Sequence, residues 1–402
     1  MGGPLNGVRV LELGSFIAGP FAGQLLADYG AEVIKVETPG RGDAMRTWGH
    51  THDGESLWWP TIARGKRSVA LDLHAAEGRA VLRELADEVD VVLENFRPGL
   101  LERWGLDHAT LSATNPGLVM VHVSGYGQTG PRSGDAGFGS IGEAMGGIRH
   151  TTGDPDRAPA RAGVSLGDSL AGLFAVVGTL AALHDRSRTG KGQEVDVAIY
   201  EAVAALMEST LADHALAGVT RGRSGSVLPG VAPSNVYPTA DGAGVILAAN
   251  ADAVFARLAK AMGRPELADD PRYADHQARG RNAAELDATI GEWTSARTAP
   301  ELLEELAGAG VPAGQIYTAA EMLEDEHYRA RDMVLHLTNA AGLDVPSIGL
   351  VPKFSRSRPD VPRPGPRLGA DTRLLADAVR RAGLDYEALA VAGTLAEARE
   401  DR

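Results

Sequence analysis

The chain has 402 residues, 44% hydrophobic and 23% charged, with 39 Lys plus Arg against 53 Asp plus Glu and a net charge of -14. That length exceeds one usual core, so two domains are expected, and the acidity without any basic block argues against nucleic acid as a partner. Zero cysteines exclude disulfides, thiolate metal sites and cysteine nucleophiles. The start Met-Gly-Gly-Pro-Leu-Asn has no basic region followed by an apolar one, and no apolar run approaches a membrane span without charge or Gly punctuation. A cytoplasmic protein with no membrane partner is expected.

In chain order, Val8 to Leu13 reads as a strand, Gly14 to Pro20 as a Gly-rich turn, and the next residues to about Tyr29 as a helix. Ala31 to Glu37 is a second strand. The unit then repeats, with a strand at Ser68 to Leu73, a helix at Ala75 to Glu88, a strand at Val89 to Leu93, a short helix at Gly99 to Trp104 and a strand at Leu118 to Val123. This alternation predicts an α/β fold, a parallel-sheet, Rossmann-like large domain with helices on both faces.

Asp168 sits at the start of the next helix. From Leu170 the bulky residues Leu170, Leu173, Phe174, Val177, Leu180 and Leu183 recur at spacings of three and four, the stripe expected of a helix packed on a core. Unpaired N–H groups and the helix dipole favour an ionised carboxylate there. A helix cap, including a Ser165-to-Asp168 capping box, and a nucleophile look alike in sequence.

Glu194 to Ile199 reads as a strand and Glu201 to Leu216 as a helix. Gly218 to Ser234 is rich in Gly, Arg, Ser and Pro, as a linker or binding loop would be. A hairpin turns at Asp241-Gly242, and helices are expected at Ala253 to Met262, Ala283 to Thr294 and Ala299 to Ala309. The expected division is a large domain over 1–200, a linker over 201–228, a small α+β domain over 229–330, and a return of 331–402, through a Pro-rich stretch, to the large domain.

Gly14-Ser-Phe-Ile-Ala-Gly-Pro with Glu37 closing the second strand has the context of a dinucleotide fold. Its spacing is not GxGxxG, and Phe16, Ile17 and Pro20 fill places where a pyrophosphate needs bare backbone. Three clusters fall at strand ends: Arg64 to Ser68, Glu94 to Arg103 and Ser124 to Pro131. They offer cations for phosphates beside Asn95 and Phe96, although a solvated face would read the same. His122, His150 and His184 lack metal-ligand spacing, and Ser124 and Ser169 lack a nucleophile elbow, which argues against a metalloenzyme or serine hydrolase.

Together, Ala18-Gly-Pro, Val33-Ile-Lys-Val-Glu37, Lys66-Arg-Ser with Leu71-Asp-Leu, Glu94-Asn-Phe-Arg-Pro-Gly99, Gly125-Tyr-Gly-Gln-Thr-Gly-Pro, Gly167-Asp-Ser, Thr189-Gly-Lys-Gly-Gln and Leu368-Gly resemble the class III coenzyme A transferase family over nearly the whole chain. The resemblance implies a CoA transferase using acyl-CoA as substrate, without metal or redox cofactor, in which Asp168 attacks the thioester and carries a mixed anhydride and then an aspartyl-CoA thioester. It implies a CoA site at Phe16, Ile17, Ala18, Lys66, Asn95, Phe96 and Arg103. Thr38 departs from members with Arg there; Arg41 and Arg46 are the candidate substitutes. It also implies an interlocked homodimer.

The family includes α-methylacyl-CoA racemases, the main alternative. Their loop His after Ala-Gly is replaced here by Phe138, leaving Asp252 as the other matching acid and no base pair for carbon deprotonation. A non-catalytic acyl-CoA-binding protein is a further alternative. The loops 137–149, 228–237 and 250–252 resemble the branch that transfers CoA from succinyl-CoA to malate, citramalate or related dicarboxylic acids. Glu143 is either an active-site residue or a salt-bridged support. Arg149 and Arg161 are candidates for the acceptor's second carboxylate, and ordinary surface pairing is the alternative for both.

Overall fold

The computed structural model describes residues 2–339 and 342–398. The chain forms two compact units, one comprising Met1–Ile148, Ala162–Thr210 and His327–Arg402, the other Arg149–Arg161 and Leu211–Glu326. Residues 149–161, expected in the large domain, cluster instead with the second unit.

The first unit is built on a seven-stranded sheet. Its elements in chain order are β1 (Arg9–Glu12), α1 (Ala18–Asp28), β2 (Glu32–Glu37), β3 (Lys66–Leu71), α2 (Ala76–Ala86), β4 (Val91–Glu94), β5 (Val119–Ser124), α3 (Gly139–Met145), α4 (Leu166–Thr189), β6 (Glu194–Ala198) and α5 (Ile199–Ala204). The spatial order is β3-β2-β1-β4-β5-β6, all parallel, with Leu395–Ala396 added antiparallel outside β3. The chain winds outward from β1 in one direction and then restarts at β4 in the other. The crevice at that reversal, beyond the carboxyl ends of the strands, is where open α/β sheets bind ligands.

Because side chains alternate across a strand, Val10 and Leu11 enter different cores, and both are fully buried. On one face lie α2 and the C-terminal segment, through Val81, Leu85, Leu375 and Val379. On the other lie α1 and α4, through Ala22, Leu26, Ala171 and Ala175. Burial on both faces explains why β4 and β5 read as almost continuous apolar runs.

The stripe expected to bury α4 does so only at its ends, where Leu170 and Leu183 pack on the core. Leu173, Phe174, Val177 and Leu180 are exposed on the single chain, whereas Ala171, Gly172, Ala175, Thr179 and Ala182 are buried. Small residues let α4 approach α1: a β-carbon at Gly172 would stand 2.9 Å from the Ala18 carbonyl oxygen. Periodicity marked the helix, and close helix packing selected the small residues, not the middle of the stripe, for burial. By length and composition α4 is apolar enough to cross a membrane, with its small-residue side buried in this fold.

The expected helix Glu201 to Leu216 is also divided, into α5 and Thr210–Ala217, with Glu208 at a φ of 50° between them. The segment 358–366 packs along the first unit, where the Arg363 carbonyl accepts from Gly65 N–H at 2.8 Å.

The second unit has a three-stranded antiparallel sheet with Gly244–Ala248 between Ser234–Pro238 and Ala313–Gln315. Helices Asp252–Ala261, Ala283–Thr294 and Ala299–Gly308 bury Phe255, Leu258, Leu286, Ile290, Leu302 and Leu306 against it. Arg279 is fully buried here, and its guanidinium bonds the carbonyls of Ala232, Tyr273 and Asn250 and the carboxylate of Asp252. Asp252 is thus tied to a structural cation at 2.6 Å.

Candidate active site

The turn after β1 is held by polar groups beneath it. Asn95 spans Ser15, accepting from its N–H and donating to its carbonyl, each at 2.8 Å. Phe16 adopts a φ of 64°, a conformation that strains a residue bearing a β-carbon by about 1–3 kcal/mol. Its N–H donates to Asp43 Oδ1 at 3.1 Å, an oxygen that also caps Met45 N–H at 2.9 Å.

Asp43 is held in turn by Lys35, whose ammonium lies 2.8 Å from both Asp43 and Glu12 and donates to the Gly14 carbonyl at 2.7 Å. Burial alone would lower the Lys35 pKa; Glu12, Asp43 and Glu37 outweigh it and hold the ammonium above its ordinary value. For Asp43, burial is outweighed by Lys35 and the pKa is lowered. Glu37 also lies low despite burial, because Arg46 forks onto it with two 2.7 Å bonds.

This network changes the reading of Lys66. Its side chain is fully buried, 2.8 Å from Glu12 and donating to the Pro20 carbonyl at 2.7 Å. Burial, with Lys35 nearby, pushes it down to about 8 against the pull of Glu12. The ammonium therefore braces the turn from below and does not face solvent as a free phosphate cation.

A cavity of about 570 Å³ opens above the turn, at the crevice flanking β1. Phe16, Thr38, Arg41, His74, Phe96 and Trp104 are among its walls. Phe96 meets Trp104 edge to face at 5.7 Å, and His74 meets the same indole at 5.4 Å. The wall is suited to a flat heteroaromatic ring, with Arg41 available to an anion. Arg46 is stacked on Trp59 at 3.8 Å and bound to Glu37, which leaves Arg41 as the cavity's candidate of the two.

Of the seven residues expected in the CoA site, Phe16 and Phe96 line this cavity. Asn95 braces Ser15; Ile17 precedes α1 and packs beside Met45 and Trp59; Ala18 is buried as the first residue of α1. Arg103 is exposed on the short helix Leu100–Trp104, where its neighbour Trp104 is the cavity wall. Phe96 is positioned by Glu94, whose buried carboxylate accepts from Phe96 N–H and from His122 Nδ1, both at 2.6 Å. Burial raises the Glu94 pKa, while Glu94 and Glu194 raise that of His122 against its own burial.

The same turn leads to Asp168. The Ala18 carbonyl touches Gly172, one helical turn beyond Asp168 on α4. Ser165 is the N-cap residue without a side-chain capping bond, and Asp168, half-buried, is the third residue of the helix. Glu143 on α3 supplies the cap instead: its buried carboxylate accepts from Gly167 N–H at 3.2 Å. The Asp168 carboxyl lies against Gly139, the first residue of α3, while α3 is seated on Ile199 and Val203 of α5.

Arg149 is half-buried and Arg161 exposed, and both belong to the stretch that clusters with the second unit. In the first unit, Arg132 lies over the Tyr126 ring at 4.5 Å and donates to its hydroxyl at 3.1 Å. Asp43 and His74 had no sequence signal beyond their position past a strand end, while Lys35, Gly139 and Trp104 lay inside cited segments without a role assigned to them.

A family model described as CoA-transferase family III matches residues 5–372. The chain is 57% identical to the succinyl-CoA–D-citramalate CoA-transferase of Chloroflexus aurantiacus over 92% of each chain. It is 39% identical to the alpha subunit of that organism's succinyl-CoA–L-malate CoA-transferase, over 92% of this chain and 87% of that one. A crystal structure of a CAIB/BAIF family protein from Brucella suis superposes with a TM-score of 0.81 at 37% identity, covering 96% of this chain and all of that one. A family model spanning most of the chain and relatives matched over nearly their whole length show that the chain belongs to CoA-transferase family III and is a class III CoA-transferase.

Proposed function

We propose that the protein transfers CoA from succinyl-CoA to a C4 or C5 dicarboxylic acid of the citramalate type, with Asp168 as the nucleophile. The observation that carries this reading is the Asp168 carboxyl seated against Gly139 at the start of α4 in a chain so similar to a citramalate transferase. The first turn of a helix favours the ionised, attacking form.

In the proposed cycle, an Asp168 oxygen attacks the thioester carbonyl, the C–S bond breaks and CoA thiolate leaves, giving a mixed anhydride. The thiolate attacks the Asp168 carbonyl, the anhydride C–O bond breaks, and succinate departs from an aspartyl-CoA thioester. The acceptor carboxylate then displaces the thiolate to form a second anhydride, and the returning thiolate attacks the acceptor carbonyl, freeing Asp168. No net proton is transferred, and each step exchanges one acyl bond for another. CoA is accordingly a substrate.

The cavity between Phe96 and Arg41 is the proposed nucleotide end of the CoA site. Glu143 acts by capping the helix that carries the nucleophile, and Arg149 and Arg161 remain the candidates for the acceptor's distal carboxylate. The exposed Leu173, Phe174, Val177 and Leu180 stripe supports assembly as a homodimer, which exposed apolar area of this kind favours. We assign the enzyme to the cytoplasm as part of the same proposal.

The test is to incubate the protein with succinyl-CoA and a panel of mono- and dicarboxylic acids and follow new CoA esters by mass spectrometry. Formation of citramalyl-CoA, lost in Asp168→Ala, is the expected result. Transfer that persists in the variant contradicts the nucleophile assignment, and deuterium entering the α-carbon without CoA exchange identifies a racemase.

A further inference from the structure

We infer that Gly139 is a positioning residue for acyl transfer, because the absence of a side chain there determines where the Asp168 carboxylate stands. A β-carbon built on Gly139 would lie 2.7 Å from Asp168 Cγ and 3.0 Å from Oδ1, and closer still to Oδ2. Those are its three nearest neighbours outside its own helix and chain neighbours. Position 139 therefore faces the reactive group itself.

The backbone does not require glycine. Gly139 is the first residue of α3, after Phe138 in extended conformation, and it is not among the residues with positive φ. Alanine fits such a helical position without strain. The three atoms nearest to an added methyl all belong to the Asp168 carboxyl group, so the clash falls first on that one side chain. Such a substitution is thus inexpensive for the fold and disruptive for the nucleophile.

The carboxylate cannot simply withdraw along α4, because the preceding residue is fixed. Gly167 N–H is bound by Glu143, and the Gly167 α-carbon packs against the Gly139 carbonyl and the Glu143 side chain. Relief requires turning χ1 of Asp168, because χ2 would leave Cγ 2.7 Å from the added carbon, and that turn moves the carboxylate oxygens by an ångström or more. A misplacement of that size in a reacting group lowers turnover by about 100-fold. The cavity wall at Phe96 and Trp104 is untouched, so binding of the acyl-CoA is preserved.

This inference rests on Asp168 being the nucleophile, and the experiment separates the two. Gly139→Ala, Asp168→Ala and the double variant are assayed with succinyl-CoA and D-citramalate, alongside the thermal midpoint and the dissociation constant for CoA. The expected result is a kcat for Gly139→Ala lower by about 100-fold, with KM for succinyl-CoA and CoA binding unchanged and a near-native midpoint. Wild-type turnover in Gly139→Ala beside an inactive Asp168→Ala overturns the inference and leaves the nucleophile standing. Turnover in Asp168→Ala overturns the functional reading itself. If Gly139→Ala is unstable, recovery of stability in the double variant identifies Asp168 as the group it meets, and continued instability there overturns the inference.

Discussion

Gly167 N–H donates to the buried carboxylate of Glu143 at 3.2 Å, so the helix bearing Asp168 is capped from α3 rather than by its own Ser165. Removing the acceptor leaves a buried helical N–H without that partner, a loss of about 1–3 kcal/mol. Glu143→Ala is expected to lower stability by that amount and to reduce kcat. Glu143→Gln, which keeps an acceptor oxygen, should retain most of both. Denaturant unfolding and steady-state kinetics on the two variants check this; equal losses would show that the charge, and not the cap, is what matters.

The cavity and Asp168 are expected to separate kinetically. Phe96→Ala removes the aromatic wall that meets Trp104, and Arg41→Ala removes the cavity's candidate phosphate cation. Each should raise KM for succinyl-CoA by roughly 10-fold, in line with about 1–3 kcal/mol for a lost stacking or charge-assisted contact, and leave kcat within a few-fold. A fall in kcat at unchanged KM would place these residues elsewhere in the cycle.

Beneath the turn, Asp43→Ala breaks the ion pair to Lys35 and frees Phe16 from its strained conformation at once. Removing one partner of a buried pair typically costs about 3–5 kcal/mol. The variant should unfold at a correspondingly lower urea concentration. Substitution by Asn, which preserves the bond from Phe16 but not the charge for Lys35, should recover part of the binding of CoA and little of the stability. Native stability in Asp43→Ala would contradict the network's role.

Glu94 and His122 make a pH-dependent pair behind Phe96. Both are raised in the folded state, so the fold binds protons that the unfolded chain releases. Their contribution is fully present below the ordinary values and is lost as pH rises, first through the raised Glu94 value and then, above about 6.5, through the raised His122 value. The stability difference between the wild type and a Glu94→Gln, His122→Gln double variant should decline between pH 6 and pH 9. A difference that grows over that range would reverse the assigned directions.

Much of the first unit was legible. Alternating strands and helices specified the parallel sheet, and the motifs closing β1 and β4, with Leu71-Asp-Leu at the end of β3, border the cavity, whereas Arg64 to Ser68 opens β3 at its other end and does not line it. What was not legible depends on tertiary contact. The α4 stripe marked a helix, but only packing against α1 reveals that Ala171 and Ala175 face inward while Leu173, Phe174, Val177 and Leu180 do not. Lys66 reads as a surface cation until Glu12 is found beneath it. Asn95 resembles a ligand contact and serves as the brace for Ser15. The clustering of 149–161 with the second unit depends on contacts distant in sequence, as does the meeting of Gly139 with Asp168.

The central claim is that Asp168 carries the transferred group covalently, and the direct measurement is peptide mass spectrometry of protein incubated with succinyl-CoA alone and quenched with hydroxylamine. The account predicts a hydroxamate on the peptide containing Asp168, absent when succinyl-CoA is omitted and absent in Asp168→Ala. Active transfer with no modification at Asp168, or an adduct on another carboxylate, would contradict it.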